Sequence, residues 1–267
     1  MTCACPLGAD ALRRLEEAPS PKNPLVLDKL EDGRRILGTA AFITNHTYDA
    51  GLYTFGTLAR YMNSTHLTLN VWVETLRFGH HLVKFADTPL VFTRIGEGAR
   101  IEAYADSSMA SPEPGSRSPG GYLIRLGHAD GRSSAPLIAS SQLPRKVMTA
   151  TGGAELEQLA RATKALIGIR IFLRELQQPH LVSGPSPLFT DAQAALDGTH
   201  CRRVSRESKW VCINYALIRQ AGENGTITVV KCPTEDNIAD ILTKPLCGPS
   251  FIRAQRLIQG LPTLEAP

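Results

Sequence analysis

Length, composition and charge exclude several classes of protein. The 267 residues, of which 43% are hydrophobic, suffice for one large or two modest domains with buried cores, so a disordered chain is not expected. A formal net charge of +4 is compatible with a polyanionic partner but too small to indicate one. No apolar run reaches the roughly 18 to 20 residues of a membrane helix, which predicts a soluble protein without a membrane partner.

The N-terminal part of the chain is predicted to be a small, mostly helical region. Residues 1–30 contain the proline-rich stretch EEAPSPKNP and predict a linker or a truncated end rather than a packed element. From Ile36 to about Phe92, apolar residues recur at three- and four-residue steps and predict helices. His80 and His81 lie in one of these helices, where a satisfied or solvated histidine is more common than a metal ligand.

From residue 100 the pattern changes to short strands. RIEAYADSS, GGYLIRLG and SSAPLIASSQ are separated by Gly, Pro and Ser clusters and predict an antiparallel meander. The next predicted elements are a helix from about Ala154 to Leu176, a strand in PLFTD, a short helix in AQAAL, a helix in SRESKWVCINYALIRQAG, a strand in GTITVVKC and a final helix from Thr234. This order predicts an α/β fold in which helices flank a mixed sheet.

Four acids stand at the ends of predicted elements. They are Asp106 at the end of the first strand, Glu155 at the head of the long helix's apolar stripe, Asp191 at the end of the fourth strand, and Asp240. Each has a structural alternative: a turn start, a snorkelling side chain, or a helix cap. Because strand ends and helix starts converge on one edge of an open sheet, the four acids together predict a site. Clustered carboxylates repel one another unless cations neutralise them, and their oxygens suit Mg²⁺ or Mn²⁺.

The stretch KCPTEDNIADILTK contains three acids with different explanations. Thr234 is predicted to cap a helix, with Glu235 and Asp236 in its first turn, where the helix dipole favours negative charge. Asp240 lies a full turn further on. Since Asp236 and Asp240 fall on nearly the same face of a helix, helical geometry does not decide which of them belongs to the site.

These motifs resemble the ribonuclease H domain of Ty1/copia-type retrotransposon polyproteins. YADSS is similar to the family's first-strand aspartate motif, RSPGGYLIRLG to its second strand, AELEQLA to the helix that carries the glutamate, and LFTDAQAAL to its strand-end aspartate motif. VKCPTEDNIADILTKPL, which resembles the end of the domain, is the most specific match and assigns Asp240 to the site. RRILGTAAFITNHTYDAGLYTFGTLARYMN is similar to the last part of the preceding reverse transcriptase.

The resemblance implies a domain organisation. Residues 1–30 would be a linker or truncated end, 31–98 a remnant of the reverse transcriptase thumb or connection region, 99–246 the ribonuclease H-like domain with its mixed five-stranded sheet, and 247–267 a C-terminal tail. The chain contains no Tyr-x-Asp-Asp motif, so polymerase activity is not expected. Trp210 stands where the family commonly has histidine, and Ala192 stands where asparagine commonly follows the aspartate. These two differences are expected to affect substrate binding more than metal binding.

The resemblance also implies an activity, endonucleolytic hydrolysis of the RNA strand of RNA/DNA hybrids with two Mg²⁺ ions, for which Mn²⁺ can substitute. The implied catalytic and metal-binding residues are Asp106, Glu155, Asp191 and Asp240. Arg202, Arg206 and Lys209 recur at helical spacing and are candidates for substrate binding, although a solvated basic face explains them equally well. The implied partners are the hybrid and the rest of the polyprotein, and the implied location is a cytoplasmic virus-like particle or the nucleus.

Two other functions stay open at the level of sequence. One is a catalytically inactive ribonuclease H-like scaffold or nucleic-acid-binding module from a decayed or co-opted element. The truncated polymerase part and the divergent NHTYD region favour it, and four intact acids argue against it. The other is a different metal-dependent nuclease of the same superfold, such as a transposase or integrase, which would need a different order of acids along the chain.

Overall fold

Two units make up the chain: Met1–Leu90 together with Lys244–Pro267, and Val91–Thr243. The structure, a computed structural model, describes residues 6–108, 117–128, 130–144, 151–193, 196 and 209–262. Within this described part, no helix combines the length and the apolar character needed to cross a membrane.

From the first helical region to the last strand, the described elements follow the predicted order. In chain order they are α1 (Ala9–Leu15), α2 (Leu30–His46), α3 (Leu52–Tyr61), α4 (Leu69–Lys84), β1 (Arg100–Ser107), β2 (Gly120–Gly127), β3 (Ser133–Gln142), α5 (Thr151–Glu175), β4 (Ser186–Thr190), α6 (Lys209–Glu223), β5 (Ile227–Lys231) and α7 (Gly248–Ile258). The predicted short helix in AQAAL lies partly outside the described residues.

The first unit is helical, and its core is formed by α2, α3 and α4, with Leu58 and Phe78 fully buried. The last helix, α7, belongs to this unit through a buried hydrogen-bond chain. Gln255 Nε2 donates to the Tyr48 hydroxyl over 2.8 Å, and that hydroxyl lies 2.8 Å from His81 Nε2. His81 is therefore a satisfied core histidine, as predicted, while the neighbouring His80 is exposed.

The expectation that residues 1–30 contain no packed element is wrong for residues 9–15. These residues form α1, and Leu7, Ala11 and Leu15, spaced four apart, are all buried. That spacing places the three side chains on one helical face, so the segment can pack despite the proline-rich stretch that follows it. Residues 248–258 of the predicted C-terminal tail likewise form a packed helix, α7, with Phe251 and Ile258 buried.

The second unit contains a mixed five-stranded sheet in the order β3-β2-β1-β4-β5. The first three strands pair antiparallel, and β4 pairs parallel with both β1 and β5. This is the ribonuclease H-like arrangement that the sequence predicts. Parallel pairing of β1 with β4 requires a crossover, and α5 provides it between β3 and β4.

The core of the second unit lies between the sheet and α5. Ile101, Ala103 and Ala105 alternate along β1 and point to the same face of the sheet, where they join Leu159 and Leu166 of α5. The predicted apolar stripe of α5 is buried along its length, from Leu159 to Leu173. The alternate residues Glu102, Tyr104 and Asp106 of β1 therefore belong to the opposite face.

Candidate metal centre

The pairing at the centre of the sheet places two acids side by side. Tyr104 of β1 pairs with Phe189 of β4 in the parallel ladder, and their stacked rings have centroids 4.7 Å apart. Asp106 and Asp191 each follow this pair by two residues, so the same pairing carries both to one edge of the sheet. Asp106 is only 1% exposed, whereas Asp191 is half-buried.

The predicted helix from Thr234 is not present, and this changes the position of the third acid. Two short 3-10 turns, Thr234–Asp236 and Ile238–Leu242, are separated by Asn237, whose backbone is extended. The N-cap position of the first turn is occupied by Pro233 and not by Thr234. Asn237 is the cap instead, because its Oδ1 accepts from the Ala239 backbone N–H over 3.3 Å.

This break between the two turns distinguishes Asp236 from Asp240, which the geometry of a continuous helix could not do. Asp236 lies in the first turn and is exposed, while Asp240 lies in the second and is half-buried. Asp240, Asp106 and Asp191 each offer a carboxylate oxygen, and the three oxygens lie within 4.8 Å of one another. The structure thus brings together the three aspartates that the sequence singles out as site residues.

Glu155, the fourth predicted acid, lies near the start of α5 and is not one of the three acids whose oxygens lie within 4.8 Å of one another, although the charges of Asp106 and Asp191 act on it. Its side chain does not snorkel to solvent, because the residue is only 8% exposed. Burial raises the pKa of Glu155 to about 8, and the negative charges of Asp106 and Asp191 act in the same direction, while Ser107 opposes them. Among the described residues, Glu155 Oε2 has no hydrogen-bond partner.

The donor set fits a hard divalent cation. The three clustered aspartates offer carboxylate oxygens, the ligands that Mg²⁺ and Mn²⁺ prefer. Glu155 Oε2, buried and without a hydrogen-bond partner among the described residues, is a further carboxylate oxygen on the same part of the unit. Cys232 does not belong to the group of clustered acids, and burial, followed by the charges of Asp191, Asp236 and Asp240, raises the pKa of its thiol to about 12. Without a cation, the thiol therefore stays protonated at neutral pH.

Two polar residues of the site have no counterpart among the predicted site residues. Asn237 Nδ2 donates to Asp191 Oδ1 over 3.3 Å, and the Thr243 hydroxyl donates to Asp106 Oδ2. Asn237 could have been recognised as a helix cap from its residue type, because Asn favours that position. The contact of Thr243 joins residues 137 positions apart, and no local pattern indicates it.

The predicted substrate-binding residues are not placed by the structure. Arg202 and Arg206 lie outside the described residues, and Lys209 is described only as the first residue of α6, without its side chain. Their role stays a prediction.

Comparison with known proteins gives relatives of one kind. No family model matches the chain. The chain is 28% identical over 241 residues to the retrovirus-related Pol polyprotein from transposon RE1 of Arabidopsis thaliana, a match that covers 88% of this chain and 15% of that protein. It is 26% identical over 166 residues to the corresponding polyprotein from transposon TNT 1-94 of Nicotiana tabacum, covering 61% and 12%. The chain therefore spans a small fraction of the curated relatives it matches.

Solved structures with some likeness include ribonucleases H and a viral reverse transcriptase. LC11-RNase H1 in complex with an RNA/DNA hybrid is 22% identical, with a TM-score of 0.39, and the match covers 54% of this chain and 94% of that one. RNase H1 from Halobacterium salinarum is 16% identical, with a TM-score of 0.37 and the same coverages. The foamy viral protease-reverse transcriptase in complex with dsDNA is 14% identical, with a TM-score of 0.42, covering 85% and 42%.

Proposed function

This chain is a homologue of the retrovirus-related Pol polyproteins of plant transposons, and we propose that it functions as their copia-type ribonuclease H region. In this proposal, the unit Val91–Thr243 cuts the RNA strand of RNA/DNA hybrids endonucleolytically. The observation that carries it is the group formed by Asp106, Asp191 and Asp240 at the edge of the sheet. An inactive scaffold would have no need to keep these acids together.

The residues that would hold the metal are the three aspartates and Glu155. Mg²⁺ is the proposed ion, with Mn²⁺ as a substitute, because the donors are carboxylate oxygens. Two ions at the site are what the resemblance to the copia-type ribonuclease H domain implies. A bound divalent ion supplies an activated water at neutral pH and stabilises negative charge on the phosphoryl oxygens. The carboxylates fix where this chemistry takes place relative to the sheet.

Glu155 contributes a proton to the site as well as a carboxylate. With its pKa raised to about 8, Glu155 keeps its proton at neutral pH as long as no cation offsets the charges of Asp106 and Asp191. Positive charge among the carboxylates favours the ionised form, so metal binding is expected to release this proton. Metal affinity should therefore increase as the pH rises toward 8.

Substrate recognition in this proposal combines phosphate and sugar contacts. Contacts to 2′-hydroxyls would distinguish RNA from DNA, and contacts from basic side chains to phosphates would supply affinity without sequence preference. Arg202, Arg206 and Lys209 are the proposed phosphate contacts. Since the chain spans 15% of the RE1 polyprotein, we propose that it functions as part of a longer polyprotein, in a cytoplasmic virus-like particle or in the nucleus.

Strand selectivity tests the proposed function. With Mg²⁺, the protein should fragment the RNA strand of a hybrid labelled differently on its two strands, and it should leave the DNA strand intact. Duplex DNA of the same sequence should stay uncut, because it offers no 2′-hydroxyl. Chelation should abolish cleavage. Cutting of the DNA strand, or cleavage that survives chelation, would contradict the proposal.

A further inference from the structure

The segment Asn237–Thr243 contributes more than one acid to the site. It carries Asp240, and its two ends each donate a hydrogen bond to another carboxylate of the group, Asn237 to Asp191 and Thr243 to Asp106. We propose that Asn237 and Thr243 are positioning residues that orient Asp191 and Asp106 for metal binding. This inference rests on the proposed function and deepens it, because it states how the site is held in shape.

Thr243 is placed to hold Asp106 in one orientation. Both residues are buried: Thr243 is 0% exposed and Asp106 is 1% exposed. Water therefore does not compete for the contact. The Thr243 hydroxyl lies 3.2 Å from the Asp240 backbone carbonyl and also donates to Asp106 Oδ2. A hydroxyl has a single proton, and the bond to an ionised carboxylate is the stronger of the two. That bond fixes the rotation of the Asp106 carboxylate.

Asn237 performs the corresponding task for Asp191 through its side-chain amide. Its Nδ2 donates to Asp191 Oδ1 over 3.3 Å and to the Ala105 carbonyl over 3.2 Å, while its Oδ1 caps the turn that carries Asp240. The side chain is 3% exposed, and both amide protons have acceptors. Asn237 therefore connects the end of β1, the acid after β4 and the Asp240 turn.

The segment is anchored to the sheet independently of the acids. Ser141 Oγ donates to the Leu242 carbonyl over 2.6 Å, and Leu242 is fully buried. Leu242 packs so closely on β2 that a Cβ atom at Gly121 would lie 2.6 Å from Leu242 Cβ. Because the backbone is fixed in this way, the hydroxyl of Thr243 and the amide of Asn237 act from a rigid support.

Calorimetric titration of the full chain with Mn²⁺ tests the inference. Thr243→Val keeps the shape of the side chain but loses the hydroxyl, and Asn237→Ser keeps a capping oxygen but is too short to reach Asp191. Each is expected to weaken Mn²⁺ binding by about 10- to 100-fold, the usual effect of removing a group that orients a metal ligand. Thr243→Ser, which retains the hydroxyl, should bind Mn²⁺ about as tightly as the parent protein.

The thermal unfolding of each variant without metal separates positioning from a merely structural role. If Thr243→Val and Asn237→Ser unfold at lower temperature but bind Mn²⁺ as tightly as the parent, the positioning role is overturned while the proposed function stands. A parent protein that binds no Mn²⁺ overturns both. Should Thr243→Val fail to fold, Asn237→Ser carries the test, with Thr243→Ser as the folded control.

Discussion

Asp240→Asn is expected to lower the rate of hybrid cleavage by about 10³-fold, a loss of about 4 kcal/mol of transition-state stabilisation, while Asp236→Asn leaves the rate unchanged. The two variants are expected to differ because the two acids lie at different distances from the other carboxylates. Asp240 offers an oxygen within 4.8 Å of those of Asp106 and Asp191, whereas Asp236 is exposed in a separate turn. Initial rates at saturating Mg²⁺ would measure the difference.

The two variants are matched in chemistry, which makes the comparison sharp. Each removes one negative charge and keeps the size of the side chain, and the two positions are four residues apart. A general electrostatic effect of the acidic segment would therefore change both rates alike. Equal loss in both variants, or a larger loss in Asp236→Asn, would contradict the assignment of Asp240.

Glu155→Gln is expected to stabilise the metal-free protein at neutral pH. The pKa of Glu155 rises from 4.5, its ordinary value, to about 8 in the folded state, mainly through burial. Below pH 4.5 the side chain is protonated in both the folded and the unfolded protein, so ionisation of Glu155 does not reduce the free energy of unfolding. As the pH rises toward 8, the unfolded chain loses this proton while the folded chain keeps it, so stability is lost. Glutamine does not ionise, and the variant should exceed the parent by about 3 kcal/mol at pH 7.

Chemical denaturation between pH 4 and 8, in the presence of a chelator, would measure this effect. The parent and variant should be closest in stability at the acidic end and diverge as the pH rises. Saturating Mn²⁺ should then stabilise the parent more than the variant, since ligand that binds the folded state adds to its stability. Parallel pH profiles for the two proteins would show that Glu155 is not held protonated by its surroundings.

The sequence predicts the second unit well because its signals are local and strong. Alternation of apolar residues indicates β1, the spacing of Leu159 and Leu166 indicates the buried face of α5, and both features are present in the structure. Asp106 and Asp191 lie together because parallel strands end at one edge, a general property of such sheets. These two predicted acids can therefore be placed near each other without knowledge of any distance.

Other features depend on contacts that no local pattern carries. The turn at Asn237 interrupts a segment whose residue spacing suits a continuous helix, because capping and burial together outweigh helical propensity over so few residues. The contact of Thr243 with Asp106 joins distant parts of the chain, as does the packing of the adjacent Leu242 against Gly121. The inclusion of α7 in the first unit depends on Gln255 reaching Tyr48, more than 200 positions earlier.

The most direct test of the central claim is cleavage of a labelled RNA/DNA hybrid in Mg²⁺ by the parent protein and by the Asp106→Asn and Asp191→Asn variants. Both aspartates belong to the carboxylate group at the sheet edge, and asparagine preserves their size while removing the charge that holds a cation. We expect the parent to cut the RNA strand and both variants to be inactive at equal concentration. A parent that cuts no hybrid, or variants that cut as fast as the parent, would contradict the catalytic role of this site.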